Sequence, residues 1–168
     1  MQRASEIKRA GDWDAAEAVD RVVLDADERQ RRRVVLTGEN GTHFMLDLPH
    51  AAMLHDGDGL VLEDGAIVRV VGRPEPLLEI EAATPHHLAR LAWHLGNRHT
   101  DVQIAGERLR IRRDHVLAEM LKRLGAHVTE IEALFDPEQG AYGPHGDAHG
   151  HAHGRGHHHH DGDHSHGT

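Results

Sequence analysis

From Gly143 to Thr168 the chain holds ten histidines, seven glycines and no aliphatic side chain larger than the methyl of Ala148 or Ala152. Such a stretch cannot bury enough apolar surface to offset the entropy of ordering it, so it is expected to be a disordered tail. Whatever folds must be built from the residues before it. The other nine of the 19 histidines are scattered through the first 140 residues. The chain thus divides into an ordinary body and a tail of exceptional composition.

Imidazole is the commonest nitrogen ligand for borderline metal ions, and glycine lets a backbone wrap around one. The candidate tail ligands are His145, His149, His151, His153, His157, His158, His159, His160, His164 and His166, with Asp147, Asp161 and Asp163 as oxygen donors. The longest unbroken run is His157 to His160, set among Gly, Asp and Ala, which is unlike an affinity tag. With up to ~6 ligands per Ni(II), ten imidazoles could hold roughly two ions. The Irving–Williams order favours Cu(II) over Ni(II), so composition alone leaves Ni(II), Zn(II) and Cu(II) open.

The chain has no cysteine, which excludes disulfides, thiolate metal sites and a cysteine nucleophile. Asp and Glu total 28 against 19 Lys and Arg, the wrong balance for a nucleic-acid footprint. No apolar run approaches the ~20 residues of a membrane span, and no secretory leader is recognisable, so a soluble cytoplasmic protein without membrane contact is expected. Aromatics are only 3% of residues, so the core must be aliphatic.

Residues 1–72 read as a small all-β domain. Val22 to Leu24 and Val34 to Leu36 are short β-branched runs, and Phe44, Leu46 and Leu48 alternate with Met45 and Asp47 until Pro49 stops the run. Leu60 to Leu62 and Ala66 to Val71 flank Glu63-Asp64-Gly65, a hairpin signal, and Gly38 to Gly41 makes a second. Arg31, Arg32 and Arg33 read as a solvated strand edge. Gly72-Arg73-Pro74-Glu75-Pro76 reads as the linker.

Residues 73–142 change pattern. Leu78, Ile80 and Ala82 alternate as a strand. Thr84 caps a helix with Pro85 at its first position, Leu88, Leu91, Ala92 and Leu95 form one stripe, and Gly96 supplies the left-handed stop. Val102 to Ile111 reads as two strands turned at Gly106-Glu107. Asp114 caps a second helix striped by Leu117, Met120, Leu121 and Leu124 and ended by Gly125, and Thr129, Ile131, Ala133 and Phe135 alternate as the last strand. The order is βαββαβ, the ferredoxin-like split βαβ, with both helices on one face and the other face free to pair. The fold class is therefore α+β: a β domain over 1–72, a ferredoxin-like domain over 73–142 and a disordered His/Gly-rich tail over 143–168.

Among the body histidines, His94 lies on the polar side of the first helix, His99 follows its end, and His115 opens the second helix. An exposed histidine is ordinarily just a solvated polar residue, and His43, His50, His55, His86, His87 and His127 are read so. His94, His99 and His115 differ by their setting. Trp93-His94-Leu95-Gly96-Asn97-Arg98-His99 resembles the HLGNRH signature of the UreE family of urease accessory proteins. Arg113-Asp114-His115-Val116-Leu117 resembles that family's DHVL segment. Leu46-Asp47-Leu48-Pro49, Asp56-Gly57-Asp58-Gly59, Phe135-Asp136-Pro137-Glu138 and the His-rich end extend the likeness over essentially the whole chain.

The resemblance implies a nickel metallochaperone rather than an enzyme. It implies an N-terminal peptide-binding-like β domain, a ferredoxin-like metal-binding domain, and a homodimer in which the histidine at His99 comes from both subunits. It implies Ni(II) as cargo, gathered by the tail and passed, with the accessory GTPase UreG, to the urease apoprotein. His94 and His115 match accessory ligands. Some relatives carry a further histidine where this chain has Arg113, a cation that cannot ligate. Two other readings stand beside this one: a general Ni/Zn/Cu buffer or storage protein without a specific recipient, and a peptide-binding chaperone in which metal is secondary. No nucleophile–base constellation or phosphate loop supports a hydrolase or transferase.

Overall fold

The computed structural model describes residues 1–140. The tail expected over 143–168 lies outside them, as does the end of the segment expected to run to 142. Two sheets organise the described chain, each with its own aliphatic core.

The first sheet holds six strands: β1 (Gln2–Lys8), β2 (Ala18–Leu24), β3 (Gln30–Thr37), β4 (His43–Met53), β5 (Gly59–Leu62) and β6 (Ile67–Gly72), in the spatial order β2-β6-β5-β1-β4-β3. A 3₁₀ turn (Ala15–Glu17) precedes β2, and a single helical turn, α1 (Ala26–Arg29), joins β2 to β3. The two hairpins read from Gly38–Gly41 and Glu63–Gly65 are present as β3–β4 and β5–β6. The sheet is not a plain meander, because β1 inserts between β5 and β4 and runs parallel to β4. β1 escapes a reading by pattern: only Ala4 on it is fully buried. Inward residues including Val22, Phe44, Leu46, Leu60, Val68 and Val70 form the core. Each fully buried aliphatic or aromatic side chain of this kind contributes roughly 1.5–3 kcal/mol.

Pro49 does not stop its strand. β4 continues to Met53, and the pairing with β3 slips between Arg31 and Arg33, so Pro49 falls where the ladder is already interrupted and no backbone donor is missed. Arg31, Arg32 and Arg33 lie exposed on β3, an outer strand, as expected of a solvated edge. The other outer strand is tied to the β3–β4 turn by Asp20, a buried carboxylate on β2. It accepts from the backbone N–H groups of Arg21, Asn40 and Thr42 at 2.7, 2.9 and 3.0 Å. Burial by itself would raise its pKa, but these donors outweigh burial and lower it to about 2. A Cβ on Gly38 would stand 2.1 Å from that carboxylate, so the turn can approach Asp20 only because residue 38 has no side chain.

The second sheet follows after Arg73 and Pro74. It comprises β7 (Glu75–Glu81), α2 (Pro85–Asn97), β8 (Gln103–Ala105), β9 (Arg108–Arg112), α3 (His115–Arg123) and β10 (His127–Ala133). The spatial order β10-β7-β9-β8, all antiparallel, is that of the ferredoxin-like βαββαβ unit. β7 starts earlier than read, so Glu75 and Pro76 belong to the strand rather than to a linker. Leu78, Ile80, Leu109 and Ile111 face the helices and meet Leu91, Leu95 and Leu121. The opposite face is a charged ladder: Arg108 pairs with Glu79 and Glu81, and Arg110 with Glu79. One end of that face is not free. Phe135, read as the last residue of β10, lies beyond the strand and is buried with Leu77 and Ala26 where the two sheets meet. Arg29 of α1, itself buried, donates there to the Phe135 carbonyl and to Asp136 at 2.8 Å.

Candidate metal site

Because the strands alternate in direction, the end of α2, the start of β8, the end of β9 and the start of α3 all lie at one end of the second sheet. That end carries His94, His99 and His115. It is also the end that meets α1 of the first sheet, through Arg112 and Asp27.

His99 is placed by an unusual helix ending. Gly96 does not stop α2; the helix runs through it to Asn97, and the cap residue is Arg98. The left-handed residue is His99 itself, with φ 53°, the one positive-φ residue other than glycine among the described residues. The N–H of His99 donates to Gly96 O at 3.0 Å and that of Thr100 to Leu95 O at 3.3 Å. This is the paired bonding of a Schellman cap, in which glycine is the usual occupant of the left-handed position. A histidine there costs on the order of 1 kcal/mol relative to glycine. The ring is exposed and stands at the rim of a groove lined by Ala92, Gly96, Asp101, Ile104, Glu138 and Gly140. The described chain ends at Gly140, in that same groove, where Glu138 N–H donates to Val102 O at 2.7 Å.

His94, half-buried one turn earlier, stacks edge-on against Trp93, with ring centroids 5.0 Å apart and planes at 84°. Trp93 itself is 66% exposed, an uncommon position for so large an apolar ring. His115 is exposed at the first position of α3, in a shallow depression with Arg113, Glu119, Lys122 and Glu130. Asp114 beside it is engaged as the helix cap, accepting from Leu117 N–H at 2.9 Å. Arg113 lines the same depression, donating to Ile131 O at 3.1 Å and making weak pairs with Glu130 and Glu132, each at 3.8 Å.

The three body histidines therefore share one end of the sheet without forming a closed set. Among the described residues no three His, Asp or Glu side chains are close enough together to hold an ion. The ten tail histidines, His145, His149, His151, His153, His157, His158, His159, His160, His164 and His166, lie outside the described residues.

Two features of the second sheet and its helices, one at each end, are invisible in the linear pattern. Arg112 reaches Asp101, two residues beyond His99, while also touching Asp27 of α1; nothing in the spacing signals those contacts. His87 is not merely solvated. Its Nδ1 accepts from Ala83 N–H at 3.0 Å and its Nε2 lies 2.7 Å from Leu124 O, so a half-buried imidazole in the Nε2–H form bridges the start of α2 and the end of α3.

Likeness to known proteins extends over nearly all of the described chain. A family model for the UreE urease accessory protein N-terminal domain matches residues 2–72, and one for the C-terminal domain matches residues 75–166. Among similar curated proteins is a urease accessory protein UreE of Bradyrhizobium sp. (strain ORS 278), 57% identical over 150 residues, spanning 89% of this chain and 71% of the relative. Another, from Bradyrhizobium sp. (strain BTAi1), is 59% identical over 142 residues, covering 84% and 68%. A third, from Beijerinckia indica, is 49% identical over 149 residues, covering 89% and 86%.

Proposed function

We propose, from the premise that this chain belongs to the UreE family of urease accessory proteins, that its part in urease maturation is to carry Ni(II) to the urease apoprotein. It does so as a homodimer in the cytoplasm, with UreG as accessory GTPase. The relatives that match it are named as urease accessory proteins, and the carrier reading needs no catalytic step. No described helix is long and apolar enough to cross a membrane.

The observation that supports the reading best is the setting of His99. A surface histidine is held at a backbone position where glycine would be cheaper, at the rim of the groove where the described chain gives way to the His-rich tail. Strained positions of this kind concentrate where side-chain chemistry is needed. One imidazole cannot retain a metal ion, and no described residues complete the set. A two-fold partner would bring a second His99, because an isologous interface presents the same residues from both sides. The exposed Trp93 and the bare flank at Gly96, where an added Cβ would meet nothing within 4 Å, suit an apolar contact of that kind. Two imidazoles leave coordination positions for water, tail histidines or the recipient's ligands, and an open site exchanges its ion where a closed one retains it. His94 and His115, at the same end, are the accessory donors of this scheme.

In this division of labour, residues 1–72 engage the recipient, 73–142 hold the transferable ion, and 143–168 gather metal. A tethered tail raises ligand concentration at the site without a new contact surface. Zn(II) and Cu(II) compete for the same nitrogens.

The test compares the full chain, a chain truncated after Tyr142 and His99→Ala in urease activation at limiting nickel. The truncated chain is expected to bind far fewer Ni(II) ions in equilibrium dialysis yet still support activation when nickel is raised. His99→Ala is expected to keep the tail's capacity and lose activation. A dead truncation beside a normal His99→Ala would replace the carrier reading with that of a metal buffer.

A further inference from the structure

We infer that Arg112 is a positioning residue for the His99 loop, and that it ties the arrangement of that loop to α1 beside the first sheet. The inference rests on the proposed role of His99 for its functional half, and on geometry alone for its structural half.

The loop from Arg98 to Val102 has three tethers. On one side is the Schellman cap, with Thr100 N–H on Leu95 O at 3.3 Å. On the other, the C-terminal segment holds Val102 through Glu138 N–H. Between them Asp101 is gripped by Arg112, Nη1 to Oδ2 at 2.8 Å. Arg112 is the last residue of β9, so its backbone is fixed by the sheet while its head reaches outward. The same guanidinium donates through Nη2 to Asp27 Oδ1 of α1 at 2.8 Å. Its Nε is 3.5 Å from Glu75 Oε1 of β7, and its Cζ lies 4.9 Å from the centroid of the buried Phe135 ring.

An isolated exposed ion pair is worth little and holds little. This one differs in having a planar fork shared by three carboxylates from three elements, laid on a buried aromatic face. Asp27 and Asp101 are 77% and 59% exposed, so neither needs the contact to satisfy a buried charge. What the fork does is set geometry: its two Nη atoms hold Asp101 and Asp27 at fixed positions about one plane, which a point charge would not, so losing the fork or either carboxylate loosens the His99 loop from α1. Any partner that drew Asp27 off Arg112 would act in the same sense. A contact at the first sheet could thereby be felt at His99.

The test uses the full chain and three conservative variants: Arg112→Lys, which keeps the charge but loses the fork, Asp101→Asn and Asp27→Asn. In metal-free protein, hydrogen exchange at the Thr100 amide is expected to quicken about tenfold in all three, while amides of β7 and α3 stay protected. Titration with Ni(II) should show the tightest binding phase weakened by roughly 10- to 100-fold in Arg112→Lys, the usual penalty for losing support of a metal ligand, with the total number of ions bound unchanged. Asp27→Asn is the decisive variant, since a merely local ion pair on α1 would leave Thr100 as it was. Unchanged exchange at Thr100 in all three variants overturns the proposal whatever the metal does. Faster exchange with an unaltered tight phase overturns the functional half and leaves a structural clamp. Failure of the carrier reading looks different: His99→Ala itself would then bind Ni(II) as the parent does.

Discussion

The two helices of the second sheet end in the same way with different residues. At the end of α3, Gly125 takes the left-handed position with φ 85°, donating to Lys122 O at 3.0 Å while Ala126 donates to Leu121 O at 3.0 Å. At the end of α2, His99 takes that position with φ 53°, and His99 and Thr100 make the equivalent bonds to Gly96 and Leu95. The hydrogen bonding is matched, so the difference lies in the side chain. Gly125 meets its position's requirement without penalty, and it lies under the His87 ring, 3.6 Å from where a Cβ would be. His99 meets the same requirement against its own sterics and projects an imidazole into open solvent. At one end the left-handed backbone is met without strain, and at the other an imidazole is held where glycine fits better.

The sharpest way to break this comparison is to make the two ends alike. His99→Gly is expected to fold at least as stably as the parent, by up to about 1 kcal/mol more. It is also expected to lose the tightest Ni(II) phase and urease activation at limiting nickel. His99→Ala should lose the same function but gain no stability, since alanine is no happier than histidine at positive φ. Denaturant unfolding beside nickel titration separates the two effects. A His99→Gly chain that is markedly less stable would mean that the imidazole supports the fold, and the contrast with Gly125 would collapse.

The contrast between Gly125 and His99 could not have been read from the pattern alone. The stripes Leu88–Leu91–Ala92–Leu95 and Leu117–Met120–Leu121–Leu124, the caps Thr84 and Asp114 and the two glycine turns of the first sheet were legible, because each rests on local sterics or a single periodicity. Gly96 misled for the same reason. A glycine in the last turn looks like the left-handed stop, but nothing local forces the helix to end there, and it continues until His99 can close both cap bonds. β1 was missed because its stability comes from pairing with β4 and β5, distant in sequence, rather than from its own apolar content. The short α1 and the burial of Arg29 and Phe135 are long-range facts of the same kind. The histidine signature was legible as a motif. That His94, His99 and His115 share one end of a sheet, with Arg112 beneath the loop, follows only from the strand order.

The reciprocal change sharpens the comparison from the other side. Gly125→Ala is expected to cost about 1–2 kcal/mol, because the left-handed backbone disfavours any Cβ. Packing adds little to that cost, since the new methyl would meet only the His87 ring at ordinary contact distance. Nickel binding should be untouched, because Gly125 is at the opposite end of the helix layer from His99. A thermal unfolding curve and one nickel titration suffice. A stability loss accompanied by loss of the tight nickel phase would show that the two helix ends are coupled through the layer, and the division between a structural end and a functional one would fail.

The smallest effect is expected at the helix starts, which are alike where the ends differ. Thr84 Oγ1 accepts from His87 N–H at 3.0 Å at the start of α2, and Asp114 Oδ1 accepts from Leu117 N–H at 2.9 Å at the start of α3. Asp114 stands next to His115 in the DHVL segment, so its carboxylate is open to two uses, cap or ligand. The geometry commits one oxygen to the cap, and the neighbouring Arg113 adds no ligand. Serine caps a helix about as well as aspartate, so Asp114→Ser should alter stability by only a few tenths of a kcal/mol, whereas Asp114→Ala should cost about 1 kcal/mol. Neither should shift the tight nickel phase. If Asp114→Ser folds as the parent does and yet binds nickel more weakly, the carboxylate is a ligand in its own right. His115 would then belong to a second metal position at the start of α3, and the contrast between helix starts and helix ends would have to be redrawn.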